Sequence, residues 1–139
     1  MINEIQILLM IALAFVVTQT SKLIINYRKT GLWQFSSYLQ NGGMPSSHTS
    51  TSIAMTTGLW LFDGLTYYFI IAALFSIIVM NDAMKVRRET GDEARILNKV
   101  MEKENLVMHH LTERVGHTPV QVAVGFAVGV VCALIVYAL

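Results

Sequence analysis

Residues 119–139 read PVQVAVGFAVGVVCALIVYAL, an apolar run without a single Asp, Glu, Lys or Arg. A helix crossing a bilayer needs about 17–25 such residues, so this stretch reads as a membrane span and places the chain among lipid-embedded proteins. Two more runs meet the requirement. Ile5–Ile25 carries Lys22 near its end, where the side chain can snorkel to the interface, and Leu65–Ala83 is closed by Asp82. A fourth stretch, Thr49–Phe62, is shorter and rich in Ser and Thr. Hydroxyls bond back to their own helix and across to others, so it reads as a less hydrophobic span buried against its neighbours, or as a re-entrant segment. The expected fold class is an all-α, polytopic membrane helical bundle of about four spans. No basic residue precedes the first run, which is longer than a secretion signal's core and is read as retained.

Composition agrees. The 139 residues are 54% hydrophobic and 14% charged, against roughly 25% charge in a soluble domain. A chain this small cannot hide so much apolar surface in one aqueous core, so a single membrane-embedded domain, 1–139, is expected. The one cysteine, Cys132, lies inside an apolar run, which excludes a disulfide framework and a cysteine zinc site. A net charge of +1 gives no preference for nucleic acid, and none is expected as a partner.

The distribution of charge says more than its sum. All ten Lys and Arg fall in two connections: Lys22, Arg28 and Lys29 after the first span, then Lys85, Arg87, Arg88, Arg95, Lys99, Lys103 and Arg114 between the third and fourth. With four crossings these lie on one side, which the positive-inside rule makes cytoplasmic. The expectation is a multi-pass cell-membrane protein with both termini outside. In Arg88–Leu111 the apolar residues Ile96, Leu97, Val100, Met101, Val107, Met108 and Leu111 recur at helical spacing, predicting an amphipathic helix along the membrane surface or the bundle. Trp33, Phe35 and Tyr38 read as interfacial anchors.

Chemistry concentrates on the basic side. In Asn41-Gly42-Gly43-Met44-Pro45-Ser46-Ser47-His48-Thr49 the glycines free the backbone to approach a ligand, and Pro-Ser-Ser suits the first turn of a helix. The N–H groups and positive end of that helix, with the Ser46 and Ser47 hydroxyls, suit an anion. His48 stands where an imidazole can protonate a leaving oxygen. Gly116-His117-Thr118-Pro119 matches it in depth, with Thr118 as N-cap and Pro119 at the first helical position. Arg87 and Arg88 offer bidentate phosphate contacts. Asp82 at a span end calls for a partner, Arg87, Arg88 or Lys22. Adjacent His109 and His110 on a helix point too far apart to share one ion, and no ligand spacing calls for a metal or other cofactor.

These blocks, Gly42-Gly43-Met44-Pro45-Ser46-Ser47-His48, then Asp82 with Val86-Arg87-Arg88, then Gly91 with Ala94 and Leu97-Asn98, then Gly116-His117-Thr118-Pro119-Val120-Gln121-Val122 with Gly125, resemble the divergent branch of the type 2 phosphatidic acid phosphatases, the acid phosphatase/vanadium-dependent haloperoxidase-related family. The wider superfamily builds its site from Lys-x6-Arg-Pro, Pro-Ser-Gly-His and Ser-Arg-x5-His-x3-Asp. Lys22 and Arg28 give only Lys-x5-Arg, and Ser47 replaces a glycine. Leu111 stands where an arginine is expected, leaving that charge to Arg114, Arg87 or Arg88. Gln121 replaces the acid that orients the nucleophilic histidine.

The resemblance implies a metal-independent phosphoric monoester hydrolase acting on a lipid phosphate or other phosphomonoester. His117 is then the nucleophile and His48 the acid and later the base, while Lys22, Ser46, Ser47, Arg87 and Arg88 hold phosphate. Gln121 can hold the tautomer of His117 but cannot balance an imidazolium charge, which by analogy with a triad Asp-to-Asn change costs on the order of 10⁴ in rate. Either Asp82 or Glu113 substitutes, or turnover is slow, or the site binds without hydrolysing. The alternative is therefore a non-catalytic phospholipid or polyprenyl-phosphate binding or transport protein. A structural subunit docking a soluble partner is a third class. The Gly125-x3-Gly129 spacing suits internal packing or a homodimer.

Overall fold

The computed structural model describes residues 2–33, 43–113 and 115–139. Among these the elements are all helical: α1 (Ile2–Thr30), α2 (Ser47–Asp63), α3 (Tyr67–Met84), α4 (Val86–Lys103) and α5 (Pro119–Tyr137). Among the described residues three stretches are long and apolar enough to cross a membrane: Glu4–Thr30, Tyr67–Lys103 (α3 with α4) and Pro119–Tyr137. Exposed Ile70, Ile71, Leu74, Phe75, Ile77 and Ile78 make α3 a surface for lipid to cover.

The hydroxyl-rich stretch forms one continuous helix, α2, of 17 residues, about 25 Å long at 1.5 Å per residue. It packs on α1, α3 and α5 together. Such a polar helix survives there because its hydroxyls find acceptors: Ser52 Oγ donates to Thr49 O (3.1 Å) and Thr56 Oγ1 to Ser52 O (2.9 Å). Others tie helices together, Thr56 to Ser76 of α3 at 2.9 Å and Ser50 to Thr18 of α1 at 3.5 Å. A buried hydroxyl without a partner costs about 1–3 kcal/mol, so these pairings are conditions for the packing.

Small residues on α5 complete the contact. A Cβ at Gly125 would lie 2.6 Å from Ser46 O, and one at Gly129 2.5 Å from Ser50 O. The small-residue face is therefore used inside the protomer, against α2, and is not available to a second copy. At the other end Met10, Ala14, Ala54, Cys132, Ala133 and Val136 form the apolar core.

The surface helix departs from its expected extent and contacts. α4 stops at Lys103, and the segment from 106 to 113 is not helical. Asn105 turns the chain with φ 53°, and Leu111 is held back against Asn98. The stripe Ile96, Leu97 and Val100 is exposed, while Gly91, Ala94, Asn98 and Met101 face the protein. Val107, Met108, His109, His110 and Leu111 lie beyond the helix, so the helical argument separating the two histidines does not apply to them. Trp33 stacks on Tyr27 with ring centroids 4.3 Å apart. Phe35 and Tyr38, read as further anchors, lie outside the described residues.

Antiparallel packing puts the ends of α1 and α3 beside the starts of α2 and α5. Three hydrogen bonds fix this end: Lys22 Nζ to Ser47 Oγ (3.3 Å), Ser46 N–H to Gln121 O (3.2 Å) and His117 N–H to Ala83 O (2.9 Å).

Candidate active site

Ser46 is the N-cap of α2. Its Oγ accepts the Thr49 N–H at 3.4 Å and the Thr49 hydroxyl at 2.9 Å, and the residue is fully buried. Pro45 thus precedes the cap instead of opening the helix. With its own N–H bound to Gln121 O, Ser46 pins α2 to α5, and its hydroxyl oxygen is occupied in closing the helix. Ser47 and His48 carry first-turn N–H groups with no intrahelical acceptor.

Lys22 does not snorkel. It is 8% exposed, and its ammonium donates to Ser47 Oγ. Burying an ammonium costs several kcal/mol unless an opposite charge compensates, and among the described residues no carboxylate supplies one. His48, half-buried beside it, lies within the fields of Arg87, Lys22 and Asp82.

His117 is 4% exposed. Its Nδ1 lies 3.0 Å from Gly43 O. A carbonyl only accepts, so the bond places the ring proton on Nδ1 and leaves Nε2 unprotonated in the neutral ring. Burial is the main influence holding the ring below the ordinary histidine value, with the Lys22 charge second, while hydrogen bonds that Gln121 and the Gly43 carbonyl accept from the ring oppose it. The charge of His48 also reaches this ring, so the two imidazoles share one electrostatic neighbourhood.

The backbone before His117 tolerates only glycine. Gly116 has φ 85°, and a Cβ there would meet Arg88 N at 2.5 Å and Arg87 C at 2.7 Å. Gly116→Ala combines backbone strain with overpacking, each of order 1–3 kcal/mol. We expect a loss of about 2–4 kcal/mol in denaturant unfolding; a loss below the error of the method contradicts this packing.

The remaining expected residues fall into two groups. Asp82 pairs with Arg87 Nε, and its field reaches His48. Arg88 instead lines an open cleft of about 490 Å³ with Lys29, Gly43, His117, Thr118 and Gln121. His117 is the member common to both, touching the cleft and feeling Lys22. Glu113 lines the same cleft and is engaged by Asn98 (2.8 Å) and Arg95 (3.5 Å). Arg114 lies outside the described residues.

Gln121 closes a capping box: its N–H donates to Thr118 Oγ1 (3.3 Å) and its Oε1 accepts the Thr118 N–H (3.0 Å). The Thr-x-x-Gln spacing before an apolar run is the sequence signal for this, and it was available at Thr118–Gln121. The role of the Gly43 carbonyl had no such signal, since a main-chain acceptor leaves no trace in residue identity.

Comparison with known proteins places these features in a family. The model of the Divergent PAP2 family matches residues 3–132. The Bacillus subtilis (strain 168) protein named uncharacterized membrane protein YuiD is 30% identical over 138 residues, covering 88% of this chain and 87% of that protein. No solved structure matches.

Proposed function

Given that this membrane protein belongs to the Divergent PAP2 family, we propose that it is a phosphatase for a lipid phosphate or other phosphomonoester, working at the cytoplasmic face. The observation that carries this reading is the Nδ1–Gly43 hydrogen bond of His117. It supplies by a backbone carbonyl the orientation that an acid supplies elsewhere in the superfamily, and it leaves Nε2 as the unprotonated nitrogen of the neutral ring.

In the proposed reaction Lys22, Arg87 and the first-turn N–H groups of α2 hold the phosphoryl oxygens, stabilising charge in the transition state. His117 Nε2 forms the N–P bond as the P–O ester bond breaks. The departing alkoxide takes a proton from the His48 imidazolium, which the phosphate charge beside it favours. Neutral His48 then removes a proton from water, whose oxygen displaces His117 from phosphorus and releases inorganic phosphate. Arg88 and Lys29 at the cleft face the rest of the headgroup.

The nucleophile must be unprotonated, and burial holds His117 below the ordinary value of 6.5. Activity therefore falls as pH drops through a value under 6.5, and falls again as pH rises through the titration of His48, whose protonated form the leaving group requires. A kcat/KM profile with its acid limb above 6.5 would contradict the assignment of that limb to His117.

A second reading is favoured by Gln121, whose amide oxygen serves the Thr118 cap and carries no charge. Here the same pocket binds a phosphorylated headgroup without turnover. Purified protein in bilayers, assayed for phosphate release across lipid phosphates and for binding of a non-hydrolysable phosphonate analogue, separates the two. Release supports the phosphatase; binding without release at any pH selects the binding protein.

A further inference from the structure

The segment that delivers His117 is gripped by one face of α4. Asn98, 3% exposed, donates from Nδ2 to Leu111 O (2.9 Å) and to Glu113 Oε1 (2.8 Å), and its Oδ1 accepts the Leu111 N–H at 2.9 Å. One side chain thus reads both main-chain groups of Leu111, as a neighbouring strand would. Two turns earlier, Gly91 lets the same segment lie against the helix: a Cβ there would meet Glu113 O at 2.7 Å and Val115 O at 2.9 Å. Gly116 then seats on the Arg87–Arg88 backbone, and His117 follows.

We propose that Asn98 is a positioning residue for His117: it fixes Leu111 and Glu113 on α4, so that the ring arrives buried with Nδ1 on Gly43 O. The activity arm of its test rests on the phosphatase reading; the geometric arm does not. Leu111 is itself exposed, so water can replace the lost bonds in Asn98→Ala, and the bundle keeps its fold while the segment loosens.

The geometric arm uses carbethoxylation of histidines by diethyl pyrocarbonate, read residue by residue by mass spectrometry on the full chain in bilayers. Asn98→Ala is expected to raise the modification rate of His117 about tenfold, an opening of local order, while exposed His109 and His110 stay as in wild type. In the activity arm kcat falls about 10–100-fold with KM nearly unchanged, the size of effect a misplacement of ~1 Å produces, and the acid limb moves up toward the ordinary histidine value.

Asn98→Asp keeps the acceptor for the Leu111 N–H but sets a carboxylate against Glu113, and should loosen His117 as well. Adding Glu113→Gln gives that carboxylate a donor and should restore protection. Unchanged His117 reactivity in both single variants overturns the proposal. A wild type that releases no phosphate while Asn98→Ala exposes His117 leaves the positioning intact and removes only the phosphatase reading. Loss of fold in Asn98→Ala with an Asn98→Asp variant that folds and protects His117 also overturns it.

Discussion

Replacing His117 with Ala is expected to lower phosphate release by at least ~10⁴-fold, because it removes the only atom the scheme allows to attack phosphorus. Nε2 is the unprotonated nitrogen because Nδ1 is bound to Gly43 O at 3.0 Å, and Ala leaves no substitute there. The contrast with His48→Ala makes the prediction specific. His48 acts on the leaving group, so its loss should cost about 10²–10⁴ on an alkyl phosphate whose alkoxide must be protonated. On p-nitrophenyl phosphate, whose leaving group departs without a proton, the first-turnover burst of p-nitrophenolate should persist in His48→Ala, while steady-state release falls because His48 is also the base that activates water. A p-nitrophenolate burst lost as fully in His48→Ala as in His117→Ala would contradict the division of labour.

The second large effect is expected at Lys22. Its ammonium is 8% exposed, bonded to Ser47 Oγ at 3.3 Å, and without a carboxylate among the described residues. Lys22→Met keeps most of the volume and removes the charge. Because an uncompensated buried charge costs several kcal/mol, its replacement by a well-packed apolar side chain is often neutral or stabilising. The variant should therefore melt at or above the wild-type temperature while kcat/KM falls about 10²–10³-fold, or by about 2.7–4 kcal/mol in transition-state terms, as when one donor to a developing charge is lost. This opposition of stability and activity marks a group retained for a ligand. A variant that melts lower and keeps its activity would show Lys22 to be structural.

Fold and site differ in how far residue order reveals them. The apolar runs announced the bundle because length and the absence of charge are one-dimensional properties. The hydroxyls of α2 announced internal packing because an unpaired hydroxyl in lipid is costly. α4 was readable as a helix, but its contacts were not. Periodicity marks the apolar stripe Ile96, Leu97 and Val100, whereas the buried face is set by what the returning segment requires, small residues at Gly91 and Ala94 and a paired amide at Asn98. In the site, residue types marked His48, His117, Asp82 and the arginines. Their grouping depended on main-chain geometry: Gly43 O at the His117 ring, the Ser46 N–H on Gln121 O, and Gly116 against Arg87–Arg88. Lys22 shows the same limit, since its place near a span end fits snorkelling equally well until Ser47 is seen beside it.

The central claim is a covalent bond between phosphorus and one particular nitrogen of His117. Turnover of a phosphorus-labelled lipid phosphate, quenched in base and followed by phosphorus NMR and mass spectrometry of the peptide, tests it directly. The account predicts phosphohistidine at residue 117, on Nε2, since Nδ1 is held by Gly43. Label on His48, on Nδ1 of His117, or on no histidine while phosphate is being released would contradict it.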